Sequence, residues 1–217
     1  MKAGTLPTLR IVVLAAGYSS RLGKPKALAR VRGLSLLART IRALTPCSEG
    51  AKIIVVVPPR AGRYAAGLGA SRHAVVFVAN PRRASGMASS VRIGLARARR
   101  SAGTLLLPVD LGELQSRDIA RLIVRWHGAR RLVVAHRVEH RAAAPLILPR
   151  WLYPRGLEAA GDSGLRELVR RLPQGMLSLV ELRSADADVD TVRDLARARR
   201  RAVGKIPTRS RLGARAH

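Results

Sequence analysis

The chain has little of what marks a disulfide-stapled, zinc-stabilised or membrane-embedded protein. A single cysteine, Cys47, stands among 217 residues. One chain can therefore form neither an internal disulfide nor a cysteine-based zinc site, and a lone thiol of this kind is ordinarily inert filler. Hydrophobic residues make up 47%, yet no apolar run approaches the roughly 18–20 residues that a membrane-spanning helix needs. A soluble protein is expected, with no membrane partner. Residues Met1 to Pro7 lead straight into a strand-like run, without the apolar stretch and small-residue cleavage site of a secretion signal, so cytoplasmic residence is the expectation. Aromatic residues amount to 3%, too few for a platform on which single-stranded nucleic acid could stack. The five histidines, His73, His127, His136, His140 and His217, show no metal-ligand spacing and read as solvated or packing residues. Scarce Asn, Gln, Cys and Met also agree with a heat-adapted source.

Acids are the scarcest charge. Against 41 Lys and Arg there are 13 Asp and Glu, for a formal net charge of +28. Such an excess attracts nucleic acid, anionic surfaces and polyanionic small molecules. The tail from Arg199 to His217 supplies seven of the basic residues and no acid, so +21 remains without it and the basicity is chain-wide. A genome-level preference for Arg, Ala and Leu codons gives the same excess with no functional meaning, and a nucleic-acid partner bound through the tail is the less favoured reading. Before Asp110 there are 19 Lys and Arg but one acid, Glu49, which makes Asp110 the first aspartate of the chain. A carboxylate that rare is a candidate ligand for a divalent metal.

The segment from Ile11 to Ala16 is a short apolar run closed by Gly17, which fits a strand buried on both faces. Ser35 is placed to cap a helix through Leu36, Leu37, Ile41 and Leu44. Strands are then expected over 52–58, 73–79 and 104–109, with helices over 89–100 and 116–127. Beyond a run at 132–135 the pattern is less regular, with a strand at 144–149, a helix from about Ser163 to Leu172, a strand near 177–182 and a closing helix from Thr191. Alternation of this kind predicts an α/β fold, a three-layer sandwich with a mostly parallel sheet and helices on both faces, whose ligands gather at the carboxyl ends of the strands. Gly17, Asn80 and Asp110 all fall at such ends. One domain over 1–198 is expected, followed by a basic, mobile tail over 199–217.

A strand that ends in glycine and opens a loop of Ser, Gly, Arg and Lys can offer N–H groups and cations to a polyphosphate. Two familiar loops are excluded. Five residues separate Gly17 from Gly23, and Lys24 precedes a proline, so this is no Walker loop. Nor does Gly17-Tyr-Ser-Ser-Arg-Leu-Gly23 supply the Gly-x-Gly-x-x-Gly of a dinucleotide fold.

What the segment from Leu14 through Leu28 does match is the signature Leu-Ala-Ala/Gly-Gly-x-Ser-x-Arg-x-Gly-x-Pro-Lys-x-Leu. It resembles the nucleotidyltransferases of the molybdenum-cofactor pathway, which join a cytidylyl or guanylyl group to molybdopterin. The resemblance continues through Asn80-Pro81, Gly86-Met-Ala-Ser-Ser-Val-Arg92-x-Gly94-Leu95, Pro108-Val-Asp110, Gly161-Asp-Ser-Gly-Leu-Arg166 and Asp188-Val-Asp-Thr-Val-Arg-Asp-Leu195. It implies a Rossmann-like, nucleotide-diphospho-sugar-transferase-like fold and in-line attack of an anionic phosphate on the α-phosphorus of a nucleoside triphosphate, with pyrophosphate leaving. The partners implied are that triphosphate, a phosphorylated small-molecule acceptor and a protein of molybdoenzyme maturation.

By the same resemblance Leu14, Ala15, Ala16, Gly17, Ser19 and Ser20 border the nucleotide, Arg21 meets its outer phosphates and Lys26 sits by the α-phosphate. The bland alternative for Arg21 and Lys26 is an ordinary exposed cation. Asp110, closing a buried strand, would bind Mg2+, with Mn2+ as substitute; otherwise it caps the segment that follows. A second metal ligand is expected from Asp188 or Asp190, which share one face of an extended segment, with Asp190 preferred. Asp194 is assigned instead to the first turn of the closing helix. Asn80, Gly86, Ser89 and Ser90 are expected to recognise the base, the two serines alternatively capping a helix. Asp162 and Arg166 are expected at the acceptor, Asp162 otherwise being a cap. Three departures from the family pattern bear on specificity. Gly112 replaces a frequent proline, and Ala143-Ala144 stands where a Gly-x pair precedes Pro145. Ala15-Ala16 is similar to the cytidylyl branch whereas Pro108 is closer to the guanylyl branch. CTP is taken as the expected donor and GTP as its rival.

Overall fold

The computed structural model describes residues 8–19, 22–111, 113–158, 161, 164–185 and 191–203. Ser20, Arg21, Gly112, Asp162, Ser163, Asp188, Asp190 and residues 204–217 of the tail lie outside them.

Strand β1 (Leu9–Leu14) begins two residues ahead of the expected apolar run and ends at its fourth residue. It lies parallel to β4 (Ile53–Val57) on one side and to β6 (Gly103–Pro108) on the other. β5 (Val75–Ala79) extends the sheet beyond β4. Past β6 come β8 (Arg141–Pro149), the one antiparallel member, then β7 (Val133–Val138) and β9 (Leu177–Val180). The order is β5-β4-β1-β6-β8-β7-β9.

Alternate residues of the central strands feed two separate cores, which is why those strands are apolar without interruption. Ile11, Val13, Val55, Leu105 and Leu107 pack with Leu37 and Ile41 of α1 (Leu36–Leu44) and with Ile119, Leu122 and Trp126 of α4 (Ser116–Gly128). Val12, Leu14, Ile54, Val56 and Leu106 face the opposite layer. There they meet Val91 and Leu95 of α3 (Met87–Arg97), Tyr153 of α5 (Tyr153–Glu158) and Val169 of α6 (Gly164–Arg170). The expected three-layer α/β sandwich is the fold observed.

Local signals account for several boundaries. Ser35 Oγ accepts the Ala38 N–H at 3.1 Å and starts α1 as its spacing implied. The closing helix α7 (Val192–Val203) begins on a reciprocal cap. Asp194 accepts from the Thr191 N–H at 2.9 Å while Thr191 Oγ1 accepts the Asp194 N–H at 3.2 Å. Asp194 thus serves the first turn, as expected. The serines do not cap α3: Gly86 occupies the cap position at φ +84°, and the helix starts two residues earlier than Ser89. Three short elements have no counterpart in the sequence reading: a hairpin of β2 (Arg30–Val31) with β3 (Leu34–Ser35), the single turn α2 (Gly62–Ala66), and α5.

Helix α3 lies close on β1 because Gly94 faces Val12. A Cβ built on Gly94 would stand 2.5 Å from Val12 Cγ1. Gly94→Ala must displace the helix or the strand, so stability should fall by about 1–3 kcal/mol, measured by chemical denaturation. An unchanged midpoint would show that the helix does not sit on the strand at this distance.

Candidate active site

The chain runs from β1 outward through β4 to β5, then crosses back to β6 on the other side of β1. The connections leaving β1 and β6 therefore diverge, and a crevice opens above their carboxyl ends. Register fixes what lies there. Leu14 stands beside Pro108, the Val109 N–H donates to the Leu14 carbonyl at 3.2 Å, and the Ala15 N–H donates to the Val56 carbonyl at 2.8 Å. The loop after β1 and the turn carrying Asp110 are thus adjacent.

Within the loop Ser19 adopts a left-handed conformation at φ +54°. Its Oγ accepts the backbone N–H of Lys26 at 2.9 Å, so the serine closes the loop onto the residue that starts the turn Lys26–Leu28. The Lys26 side chain then crosses to Asp110, Nζ to Oδ2 at 2.9 Å, with both side chains less than one-fifth exposed. The partner oxygen, Oδ1 of Asp110, is buried and accepts no hydrogen bond among the described residues. An ionised oxygen left this way is costly unless a cation meets it. A hard divalent ion held by few carboxylates fits that donor chemistry.

Leu14, Ala15, Ala16, Gly17, Ser19, Lys26, Gly86, Ser90 and Asp110 all line one open cleft of about 510 Å³, a volume in the range of small-molecule sites. Asn80 and Ser89 stand behind its wall. Asn80 is fully buried, donating from Nδ2 to Ser89 Oγ at 2.8 Å and to Ser90 Oγ at 2.9 Å and accepting the Arg82 N–H at 2.9 Å. Its own N–H donates to the Val57 carbonyl at 2.7 Å. This residue fastens the start of α3 to the ends of β4 and β5, which holds Gly86 and Ser90 at the cleft. Arg166, on α6, is exposed and does not line it.

The sequence reading passed over Tyr18, Arg83, Ala84 and Met87, which line the cleft as well. Tyr18 was detectable as an aromatic side chain inside the phosphate-loop signature of a chain poor in aromatics. Arg83 carried no signal, being one arginine among many. The residues 182–185 are anchored by buried Asp118, whose Oδ2 accepts from the Ser184 N–H at 2.9 Å and the Ser184 hydroxyl at 2.6 Å. Among the described residues no cluster of three His, Cys, Asp or Glu is grouped for a metal, and no helix is long and apolar enough to cross a membrane.

A doubly wound sheet with a cation-bearing loop and a carboxylate facing each other across a cleft at its switch point defines the Rossmann-like α/β class. Within that class the chain belongs to the MobA-like NTP transferase domain family, whose model matches residues 11–176. It is 33% identical over 144 residues to a probable molybdenum cofactor guanylyltransferase of Rhodopirellula baltica, covering 65% of this chain and 67% of that protein. It is 35% identical over 126 residues to the bifunctional enzyme IspD/IspF of Clavibacter michiganensis, covering 55% of this chain but only 30% of that longer protein. The crystal structure of Rv0371c from Mycobacterium tuberculosis superposes with a TM-score of 0.75 at 24% identity, over 90% of this chain and all of that one. The same mycobacterial protein has been solved in complex with manganese.

The buried Asn80 network predicts a measurable stability cost. Asn80→Ala leaves the Arg82 N–H and two serine hydroxyls without their shared partner and should lower stability by about 2–4 kcal/mol. A melting temperature equal to that of the parent protein would refute the assignment of Asn80 as the fastening residue.

Proposed function

We propose that the protein is a nucleotidyltransferase that moves a nucleoside monophosphate from a triphosphate to the phosphate of a small-molecule acceptor, molybdopterin in the leading reading, with release of pyrophosphate. The observation that carries this is the Lys26–Asp110 pair at the mouth of the loop, with Asp110 Oδ1 buried and without a hydrogen bond among the described residues. A site for phosphoryl chemistry between two anions has to neutralise charge and align atoms, and it needs no base, because the acceptor phosphate already carries its nucleophilic oxygen.

In this reading the N–H groups and hydroxyls of Gly17, Ser19 and Ser20 follow the triphosphate, with Arg21 at its outer phosphates. Lys26, released from Asp110 toward the α-phosphate, neutralises the charge that develops there. Asp110 would hold a divalent ion, Mg2+ or Mn2+, together with Asp190. That ion, when bound, would supply further charge neutralisation on the phosphate oxygens. The manganese complex of the mycobacterial structural neighbour agrees with such a ligand. Gly86 and Ser90, held in place by Asn80 and Ser89, border the base. Asp162 and Arg166 are assigned to the acceptor side.

The alanine pair before Gly17 supports CTP as donor, while the Rhodopirellula relative, a probable guanylyltransferase, supports GTP. A different phosphorylated acceptor, a sugar, polyol or phospholactate phosphate, is the second reading. It is favoured by Ala143-Ala144 in place of the Gly-x pair and by the similarity to IspD/IspF.

Thermal melting with CTP, GTP, ATP and UTP plus magnesium tests donor and metal together. A selective ligand present at about a hundred times its Kd should raise the melting temperature by about 5–10 °C, with CTP giving the largest shift. The shift should vanish with a chelator and in Asp110→Ala. Equal, feeble shifts with all four triphosphates would sink the base assignment. No pyrophosphate release with any acceptor in the panel would sink the reaction itself.

A further inference from the structure

Opposite walls of the cleft touch at one point that the proposed chemistry leaves unused. Tyr18 belongs to the loop after β1, directly ahead of Ser19, and is 58% exposed. Arg83 opens the short turn Arg83–Ser85 that leads into Gly86 and α3. The Arg83 guanidinium lies over the Tyr18 ring, 4.3 Å from its centroid, and both residues line the cleft.

A guanidinium on an aromatic face spends its flat side on the ring and keeps its N–H edges for other acceptors. Arg83 is only partly exposed and has no ion pair among the described residues. The described acid on the cleft wall is Asp110, whose Oδ2 is occupied by Lys26. A preorganised cation with free donors therefore stands at the mouth of a cleft whose opposite wall is the phosphate loop.

We infer that Arg83 is a further binding residue for the polyphosphate of the donor nucleotide, and that Tyr18 positions it by holding the guanidinium across the cleft mouth. The inference rests on the reading of this cleft as a triphosphate site. Arg83 contacts phosphate oxygens from the α3 side while the loop after β1 contacts them from the other, so the two walls close on the same group. Tyr18 acts only through Arg83.

Calorimetric titration of the 217-residue chain with CTP, CDP and CMP in the presence of magnesium tests this, alongside Arg83→Ala, Tyr18→Phe, Tyr18→Ala and the double variant. If CTP proves not to be the preferred donor, the triphosphate with the largest thermal shift and its di- and monophosphates replace the series. Loss of a charge-assisted contact to phosphate should weaken triphosphate binding at least about tenfold in Arg83→Ala, with a smaller loss for the monophosphate. Tyr18→Phe keeps the ring and should bind as the parent does. Tyr18→Ala should lose about two- to fivefold, the worth of an exposed cation–π contact. In the Arg83→Ala background the tyrosine substitution should have no further effect. In turnover the donor KM should rise in Arg83→Ala with kcat nearly unchanged.

Both side chains lie at the rim, so melting temperatures without nucleotide should match that of the parent and separate binding from folding. Equal losses for the tri- and monophosphate would overturn the phosphate contact. Full additivity of the two alanine substitutions would overturn the positioning role of Tyr18. Parent-like binding by Arg83→Ala would overturn the whole inference while leaving the triphosphate site standing. Absence of nucleotide binding by the parent protein would instead remove the reading on which the inference depends.

Discussion

The contact between Lys26 and Asp110 is the constraint around which the described structure is arranged. It joins residues 84 positions apart in the chain, and it exists because β1 and β6 are neighbours in parallel register, with Leu14 opposite Pro108. Slip that register by one residue and the faces of β6 exchange cores, since Leu105 and Leu107 pack on one layer and Leu106 on the other. The two-sided core therefore does more than stabilise the sheet, because it fixes the height at which the lysine and the carboxylate meet. For stability alone, a largely buried ion pair is a poor choice, as desolvation offsets much of its attraction. A half-satisfied pair, with one carboxylate oxygen lacking a donor among the described residues, is worse. Departures of this kind from self-consistent folding are expected where a site serves a ligand.

Holding that pair in place requires rigidity on both walls of the cleft. On one wall Ser19 accepts the Lys26 N–H and draws the loop closed. On the other, Asn80, the single asparagine of the chain, ties both serines of α3 to the end of β5. Gly86 permits the sharp entry to that helix and Gly94 lets it settle on Val12. Each glycine of the motif around Met87 thus has a geometric reason that needs no ligand, whereas the ionic contact at the centre finds its reason in the proposed chemistry.

Most of the fold was legible because it rests on long apolar runs. Strands buried on both faces, the Ser35 cap and the three-and-four spacing of α1 are local statements about burial and hydrogen bonding, and they survive folding unchanged. The hairpin of Arg30–Val31 with Leu34–Ser35 escaped notice because two-residue strands carry no periodicity. Helices α2 and α5 are five and six residues long, and their shape is set by what they pack against. At the site, the motif named Lys26, Ser19 and Asp110 separately but could not show that they touch. Nor could it show that Asn80 and Ser89 stand behind the cleft wall, because a spacing says which strand end a residue occupies and nothing about which way it turns. Arg83 was invisible for a different reason, as charge abundance erases the information in any one cation.

That last point decides how the charge of +28 should be read. In a chain so basic the cations cannot identify a site, but the few acids can, and their partners sort them. Glu167 is a surface residue shared by Arg170 at 2.8 Å and Arg171 at 3.0 Å, and the Arg170 guanidinium holds its carboxyl below the ordinary range. Asp118 is buried but accepts from Ser184, and Asp194 closes the start of α7. Each of these is accounted for by structure. Among the described acids, Asp110 is the one that keeps a buried oxygen with no hydrogen bond, and it does so beside a lysine, in a cleft that an arginine held on a tyrosine also lines. Scarcity drew attention to this aspartate in the sequence. Its environment supplies the physical reason: in a molecule where a carboxylate could find a guanidinium almost anywhere, this one is placed where one oxygen is left for something else.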